Sequence, residues 1–218
     1  MYEKGQQRNS DGAPTHQIEA WEGQFGDEYV IRNEYADWKT AQGTEVFSRI
    51  LGGLKIQSVL EVGSNIGLNL LFINEVLKGS VKLYAVEPNH KAFEELMSQK
   101  RVRLEKAWNC DGFQIPLDDS SVDVVFTAGV LIHIAPSDLS RITDEIVRVA
   151  RKWVLCIEYF AHAPVEVPYR GKKELLFKRD FGSFYLDRFP NLKCVRYGFL
   201  WQREFSIFDN LNWWIFEK

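Results

Sequence analysis

The alternation of short apolar runs with helix-period segments is the feature that most restricts what this chain can fold into. Strand-like runs lie at 58–62, 81–86, 102–108, 122–126 and 153–157. Apolar residues between several of these runs recur at helical spacing, and the connections are short. Strands that alternate with helices in this way predict a parallel sheet covered by helices on both faces.

The segment before the first strand is predicted to be helical. Residues 14–54 read as three helices, of which the third spans 37–51 and ends at paired glycines. Thr15 and Asp27 are the predicted N-terminal caps of the first two helices. We therefore treat residues 1–54 as an N-terminal helical segment, of which the polar stretch 1–13 is expected to be mobile.

The last third of the chain has a different pattern. Residues 161–183 are rich in Pro, Gly, Lys and Arg and are interpreted as a long loop inserted in the domain 55–218. Strand-like stretches at 193–202 and 211–217 are joined by a link too short for a crossover helix, so they should pair antiparallel. The predicted fold is α/β: a doubly wound, seven-stranded, mainly parallel, Rossmann-like sheet with an antiparallel C-terminal hairpin.

Composition excludes several classes of partner. A net charge of −3 over 218 residues gives no basic surplus, which argues against nucleic-acid binding. The three cysteines are widely separated and form no metal-ligand spacing, so we expect no metal site and reduced thiols in a cytoplasmic protein. No apolar run reaches the roughly 18 residues of a membrane span, so no membrane association is expected.

A glycine-bearing turn follows the first predicted strand. Its sequence, Glu-Val-Gly-Ser-Asn-Ile-Gly, places glycines where the backbone must approach a ligand at the carboxyl edge of the sheet. The helix behind it begins with free amides, and an acidic side chain beside those amides suits a ligand that carries both a carboxylate and an ammonium group. The candidate ligand-binding residues of this turn and helix are Glu61, Gly63, Ser64, Asn65, Gly67 and Asn69.

Two further acidic residues follow the next two strands. Glu87, before Pro88, stands at the end of the second strand, roughly 20 residues past the glycine turn. A carboxylate at this place can accept hydrogen bonds from both ribose hydroxyls. Asp111 follows the third strand and can accept from an adenine amine, while the amide of Gly112, before Phe113, can donate to a ring nitrogen. A helix cap at Glu87-Pro88-Asn89, which is compatible with ribose binding, and a turn role for Asp111 are the alternatives.

The segment after the fourth strand borders both halves of such a site. Ala128 and Gly129 are candidate ligand contacts, and His133 is a candidate general base because its ordinary pKa lies near working pH. The alternative for His133 is that it shapes the pocket or caps the next helix.

Together these four stretches resemble the class I S-adenosylmethionine (SAM)-dependent methyltransferases over about residues 55–160. The departure is Asn65, which stands where the family's loop usually has its middle glycine. The flanks 21–33, 164–171, 177–181 and 213–218 look like the pseudaminic acid biosynthesis-associated methylases. The resemblance implies SAM as cofactor, S-adenosylhomocysteine (SAH) as product, and a bacterial enzyme of surface-sugar or natural-product pathways.

In such enzymes N-terminal helices form a lid, and here residues 1–54 would take that place. Candidate acceptor-binding residues are Tyr29, Arg32, Asn33, His133, Tyr159, Tyr169, Arg170 and Arg179, and the order of preference for a proton acceptor is His133, Tyr169, Asp180. The loop 161–183 would roof the acceptor pocket, with its arginines binding a carboxylate or phosphate by paired hydrogen bonds. For Arg32 and Asn33, a packing role is equally open.

The expected function is methylation, at O or N, of a small, anionic, sugar-related or natural-product acceptor. A nicotinamide-dependent oxidoreductase is an alternative, weakened by the missing G-x-G-x-x-G and by the antiparallel hairpin. A non-catalytic SAM-binding protein is a third reading. No Asn/Asp-Pro-Pro-Tyr/Phe motif for base amines is present, and the oligomeric state is left open.

Overall fold

A seven-stranded sheet forms the centre of the protein, as a computed structural model shows for residues 15–218. In chain order the strands are β1 (Ser58–Val62), β2 (Lys82–Val86), β3 (Lys106–Trp108), β4 (Val122–Ala128), β5 (Ala150–Glu158), β6 (Val165–Glu166), β7 (Phe177–Lys178), β8 (Lys193–Leu200) and β9 (Leu211–Glu217). The main sheet has the order β3-β2-β1-β4-β5-β9-β8, in which β9 runs antiparallel to both neighbours and β1 to β5 are parallel. This confirms the predicted fold class.

Helices cover both faces of that sheet and create two apolar cores. They are α1 (His16–Glu22), α2 (Gln24–Arg32), α3 (Asp37–Leu51), α4 (Leu68–Val76), α5 (His90–Ser98), α6 (Leu139–Val149) and α7 (Phe181–Arg188), with a 3-10 turn at Leu131–His133. One core packs α6 and α7 against the sheet, and the other packs α3, α4 and α5 against it. All of β1 is buried, as expected for a central parallel strand.

The N-terminal helices differ from the prediction at one cap. Thr15 accepts from the amide of Ile18 and begins α1, and α3 has the predicted bounds. Asp27 is not a cap, because α2 begins at Gln24 after Gly23 and Asp27 lies inside its first turn. The expected mobility of residues 1–13 concerns a stretch outside the described residues.

The stretch 161–183 is more ordered than a long loop. It contains the antiparallel pair β6–β7, and its tip is a tight turn in which Arg170 (φ +52°) and Gly171 (φ +77°) are both left-handed. The stretch ends in α7, which the sequence interpretation missed and which Asp180 caps by accepting from the amide and hydroxyl of Ser183. Strand β3 is also shorter than predicted.

None of the helices within residues 15–218 is both long and apolar enough to cross a membrane. The same residues contain no group of three or more His, Cys, Asp or Glu side chains placed to hold a metal ion.

Candidate functional site

A cavity of about 520 Å³ opens at the carboxyl ends of the parallel strands, under α1, α2 and the β6–β7 hairpin. Most of the residues singled out in the sequence line it: Tyr29, Arg32, Asn33, Glu61, Gly63, Ser64, Asn65, Asn69, Glu87, Pro88, Asp111, Gly112, Ala128, Gly129, His133, Tyr159, Tyr169 and Arg170. The parallel topology explains this convergence, because the ends of β1, β2, β3 and β4 meet at one edge of the sheet.

Four of the singled-out residues do not line the cavity. Gly67 is the left-handed N-terminal cap of α4. Phe113 is buried in the core. Arg179 packs over the ring of Phe184 at 4.3 Å, and Asp180 caps α7. These four residues therefore lie outside the cavity lining, although the roles predicted for them required a position in it.

The glycine turn bends by left-handed backbone conformations at Gly63 (φ +78°) and Asn65 (φ +48°). A Cβ on Gly63 would lie 2.6 Å from Cγ2 of Val130, so only glycine leaves this wall of the cavity open. Asparagine tolerates the left-handed region better than most residues, which explains how Asn65 replaces a glycine.

Glu61 is buried at the base of this turn. Its Oε1 accepts from Nδ2 of Asn69 at 2.7 Å, whereas its Oε2 and Oδ1 of Asn65 are buried without a hydrogen-bond partner. Burial raises the pKa of Glu61 well above its ordinary value, and the nearby Glu87 adds to the rise. These two unpartnered acceptors, Oε2 of Glu61 and Oδ1 of Asn65, match the ammonium group of an amino-acid ligand.

Glu87 directly follows β2 and joins the glycine turn to the segment that begins α5. Its Oε2 accepts from the Asn65 amide at 2.6 Å and its Oε1 from the Asn89 amide at 2.8 Å. The cap of α5 is Asn89, so a helix cap does lie within Glu87-Pro88-Asn89, and the carboxylate of Glu87 binds the two backbone amides instead of capping. Burial raises the pKa of Glu87 to about 7, and the two amide hydrogen bonds oppose the rise.

This pKa makes ligand binding at Glu87 sensitive to pH. If two ribose hydroxyls donate to the carboxylate, binding favours the ionised form, and affinity falls as pH drops through the pKa of about 7. We expect the Kd of SAH, measured by calorimetry, to be about tenfold weaker at about pH 6 than at about pH 8. Glu87→Gln should weaken binding and flatten this dependence; an unchanged pH profile in that variant would exclude Glu87 as its source.

Asp111 occupies the end of the cavity beyond β3. Its Oδ1 accepts from the amide of Phe113 at 2.9 Å, and burial raises its pKa. A Cβ on the neighbouring Gly112 would lie 2.7 Å from Cγ1 of Val62, so glycine again keeps the backbone at the surface of the cavity. This corner places the Asp111 carboxylate beside the backbone of Gly112 at the cavity surface, an arrangement that suits an adenine ring.

His133 also lines the cavity, and its ring lies beside those of Trp21 and Tyr169, whose centroids are 4.5 Å and 5.2 Å away. Its Nδ1 donates to the carbonyl of Leu175 at 2.5 Å, which leaves Nε2 as the atom that can accept. Burial lowers its pKa to about 4, opposed by the hydrogen bond to Leu175. The ring is therefore neutral near pH 7 and suited to accept a hydrogen bond, although its low pKa makes it a weak base.

Glu158, the last residue of β5, had no assigned role in the sequence interpretation. Its fully buried carboxylate accepts from the amides of Val130, Leu131 and Ile132 at 3.1, 3.0 and 3.4 Å. These contacts fix the segment that carries His133. No local signal reveals them, because donors and acceptor are 26 to 28 residues apart in the chain.

Other residues of the cavity wall were also missed as site candidates. Trp38 and Lys39 at the start of α3, and Phe208 and Asp209 in the link between β8 and β9, line the cavity. Trp21 also lines it, although its sequence spacing favoured simple packing. Their inclusion depends on how α3 and the C-terminal hairpin pack, which spacing along the chain does not reveal.

Comparisons with known proteins agree with this geometry. Residues 60–157 match the model of a methyltransferase domain family. No curated protein sequence matches the chain. Solved structures share its fold over nearly its full length at low sequence identity.

The first such structure is magnesium protoporphyrin IX methyltransferase from Synechocystis with bound SAM (TM-score 0.67, 11% identity, covering 94% of this chain and 99% of that one). Another is a SAM-dependent methyltransferase from Leishmania major (TM-score 0.68, 13% identity, 96% and 94%). A third is 1,6-didemethyltoxoflavin-N1-methyltransferase from Burkholderia thailandensis, bound to 1,6-didemethyltoxoflavin and SAH (TM-score 0.62, 14% identity, 89% and 83%). These likenesses establish the fold, and the family match lies on the strands and turns that build the cavity. The chain is a SAM-dependent methyltransferase.

Proposed function

We propose that this methyltransferase acts on a small anionic acceptor, a sugar-related or natural-product molecule, and methylates it at oxygen or nitrogen. The observation that carries the proposal is a set of three basic side chains, Arg32, Lys39 and Arg170, that line the cavity and belong neither to the glycine turn nor to the ends of β2 and β3. Within residues 15–218, none of the three forms an ion pair with a carboxylate. Basic groups without a protein counter-charge favour an anionic ligand.

Each of these basic groups lies over an aromatic ring that also lines the cavity. The distances to the ring centroids are 5.2 Å for Arg32 over Tyr29, 5.8 Å for Lys39 over Trp38 and 5.7 Å for Arg170 over Tyr169. The rings hold the charges at the rim and offer flat surfaces to a sugar or heterocycle. The flanking-sequence resemblance to pseudaminic acid-associated methylases supports a sugar-related acceptor.

One acidic residue in this part of the cavity lining is already engaged. Asp209 accepts from the hydroxyl of Tyr159 and, at 3.3 Å, from Nε2 of Gln202. Its charge therefore holds Tyr159 in place and leaves the three basic groups as the main attraction for a ligand.

The cofactor half of the site consists, in our proposal, of Glu61 and Asn65 for the amino-acid part, Glu87 for the ribose and Asp111 with Gly112 for the adenine. SAM supplies a methyl group attached to a sulfonium sulfur. The sulfur leaves as the thioether of SAH and needs no further activation. Much of the acceleration can then come from positioning. The rings of Trp21 and Tyr169 line the cavity and form an aromatic wall beside His133.

His133 is our first choice for the residue that orients the acceptor. Its Nε2 accepts from the acceptor hydroxyl or amine and takes the proton as the bond to the methyl carbon forms. Asp180 is not retained in this role because it caps α7. Tyr169 remains the second choice because its ring lies beside His133.

A matched acceptor screen tests the proposal. Sugar acids, sugar phosphates and nucleotide sugars are incubated with SAM and the protein, each beside its neutral ester or parent sugar, and SAH is measured by mass spectrometry. We expect turnover with the anionic member of a pair only. Arg32→Ala and Arg170→Ala should each raise KM about tenfold with a smaller change in kcat, as removal of a charged hydrogen bond implies.

Lys173→Ala is the control, because Lys173 belongs to the same hairpin, is exposed and does not line the cavity. It should leave KM unchanged. Equal turnover of neutral and anionic partners, with no effect of either arginine substitution, would exclude an anionic acceptor and leave the methyltransferase activity in place.

A further inference from the structure

Asn89 connects the cofactor end of the sheet to the N-terminal helices. Only 2% of the residue is exposed. Its Nδ2 donates to the carbonyl of Trp21 at 3.0 Å and to Oδ1 of Asp27 at 2.9 Å, with a longer contact of 3.5 Å to the carbonyl of Glu22. Its Oδ1 accepts from the amide of Ala92 and caps α5. These partners fix which end of the amide faces the helices.

The junction between α1 and α2 packs tightly on this amide. A Cβ on Gly26 would lie 1.9 Å from the carbonyl oxygen of Trp21 and 2.8 Å from Nδ2 of Asn89. Glycine at this position is therefore required for the hydrogen bonds of Asn89 to form. The approach is too close to be incidental surface packing.

The same residue is joined to the proposed ribose site. The backbone amide of Asn89 donates to Oε1 of Glu87, whose Oε2 holds the Asn65 amide of the glycine turn. On its other side, the Trp21 carbonyl belongs to the residue whose ring lies 4.5 Å from that of His133. Asn89 thus contacts both Glu87, the proposed ribose-binding residue, and Trp21, which lies beside His133 in the proposed acceptor wall.

We propose that Asn89 is a positioning residue that latches the α1–α2 junction to the end of β2, so that cofactor binding orders the acceptor wall. The inference rests on the proposed placement of SAM at Glu87. Ribose hydroxyls that donate to Glu87 fix the position of its carboxylate. The carboxylate in turn fixes the backbone amide of Asn89, and the Asn89 side chain holds the carbonyl of Trp21. Cofactor binding then further stabilises the acceptor wall, which favours binding of SAM before the acceptor.

One substitution separates the latch from the helix cap. Asn89→Asp keeps an oxygen for the amide of Ala92, since aspartate caps helices as well as asparagine. It removes both hydrogens of the latch and places a carboxylate against Asp27. The double substitution Asn89→Asp with Asp27→Asn reverses donor and acceptor and restores one hydrogen bond. Asn191→Asp, at an exposed turn, is the control for added charge.

Hydrogen exchange of the full chain, with and without SAH, measures the latch without an identified acceptor. In the wild type and in Asn191→Asp, SAH should slow amide exchange over 16–32. In Asn89→Asp, exchange there should be at least about tenfold faster without SAH, because the hydrogen bonds to Trp21 and Asp27 are both lost. SAH should not restore protection in that variant. The SAH Kd should stay within about threefold, and the double variant should regain part of the protection.

Each other result has a defined meaning. Wild-type protection in Asn89→Asp, or loss of SAH binding in that variant, would overturn the latch. If Asn89→Asp fails to fold, Gly26→Ala replaces it, with the same expected pattern. Failure of the SAM placement is recognised separately, because Glu87→Gln would then bind SAH as tightly as the wild type.

Discussion

Gly63→Ala is expected to weaken SAH binding at least about 100-fold, a loss of roughly 2.7 kcal/mol. Its backbone has φ +78°, where an alanine costs about 1–2 kcal/mol. The added methyl would also lie 2.6 Å from Cγ2 of Val130, and Val130 cannot easily retreat because its amide donates to Glu158. The turn must therefore move, and the Asn65 amide moves with it. Calorimetric titration with SAH measures the effect.

Gly53→Ala separates strain from obstruction. Gly53 has nearly the same φ, +79°, but the nearest atom to its Cβ would be Nη2 of Arg196 at 3.8 Å, an ordinary contact. Gly53 lies outside the cavity lining. Gly53→Ala should lower the melting temperature and leave the SAH Kd unchanged. If Gly63→Ala affects SAH binding no more than Gly53→Ala does, the turn does not contact the cofactor as proposed.

The convergence of the residues proposed to bind the cofactor was predictable, because their positions follow from sheet topology. Parallel neighbouring strands end at the same edge of a sheet, so acidic residues at or just past the ends of β1, β2 and β3 converge without any knowledge of packing. Glu61, Glu87 and Asp111 illustrate this, and all three line one cavity. Spacing along the chain was sufficient to predict these three positions, because each strand carries the residues at its own carboxyl end to the same edge of the sheet.

The part of the cavity proposed to bind the acceptor was less predictable, because it depends on contacts between distant segments. Trp21 and Asp27 meet Asn89 across 68 and 62 residues, and nothing near any of the three indicates the pairing. The interpretation of Asp27 as a helix cap used a correct preference at the wrong position. Asp180 shows the reverse case, since its capping signal was present but the helix it begins was not recognised.

Glu61→Gln is expected to stabilise the protein while it weakens SAH binding about 100-fold. The free carboxylate oxygen Oε2 of Glu61 is buried without a partner, so the ionised group costs folding free energy that glutamine does not. Binding suffers because an amide hydrogen would face the ammonium of the ligand, and a charged hydrogen bond is lost. We expect the melting temperature near pH 7.5 to rise by about 2–4 °C for each kcal/mol gained, measured by scanning calorimetry.

The pH dependence distinguishes this stabilisation from a general effect of removing charge. The pKa of Glu61 is raised in the folded protein, so the wild type loses stability as pH rises above about 4.5, and the advantage of Glu61→Gln should shrink as pH falls toward that value. Asp123 is equally buried, but hydrogen bonds from the Gln57 amide, Arg151 and Lys152 outweigh burial and lower its pKa. Its ionised form stabilises the fold above its ordinary pKa, so Asp123→Asn should lower the melting temperature near pH 7.5 and leave SAH binding intact. A fall in melting temperature for Glu61→Gln as well would show that Glu61 supports the fold. A rise in melting temperature together with weaker SAH binding would instead show that the carboxylate of Glu61 destabilises the fold and serves to bind the cofactor.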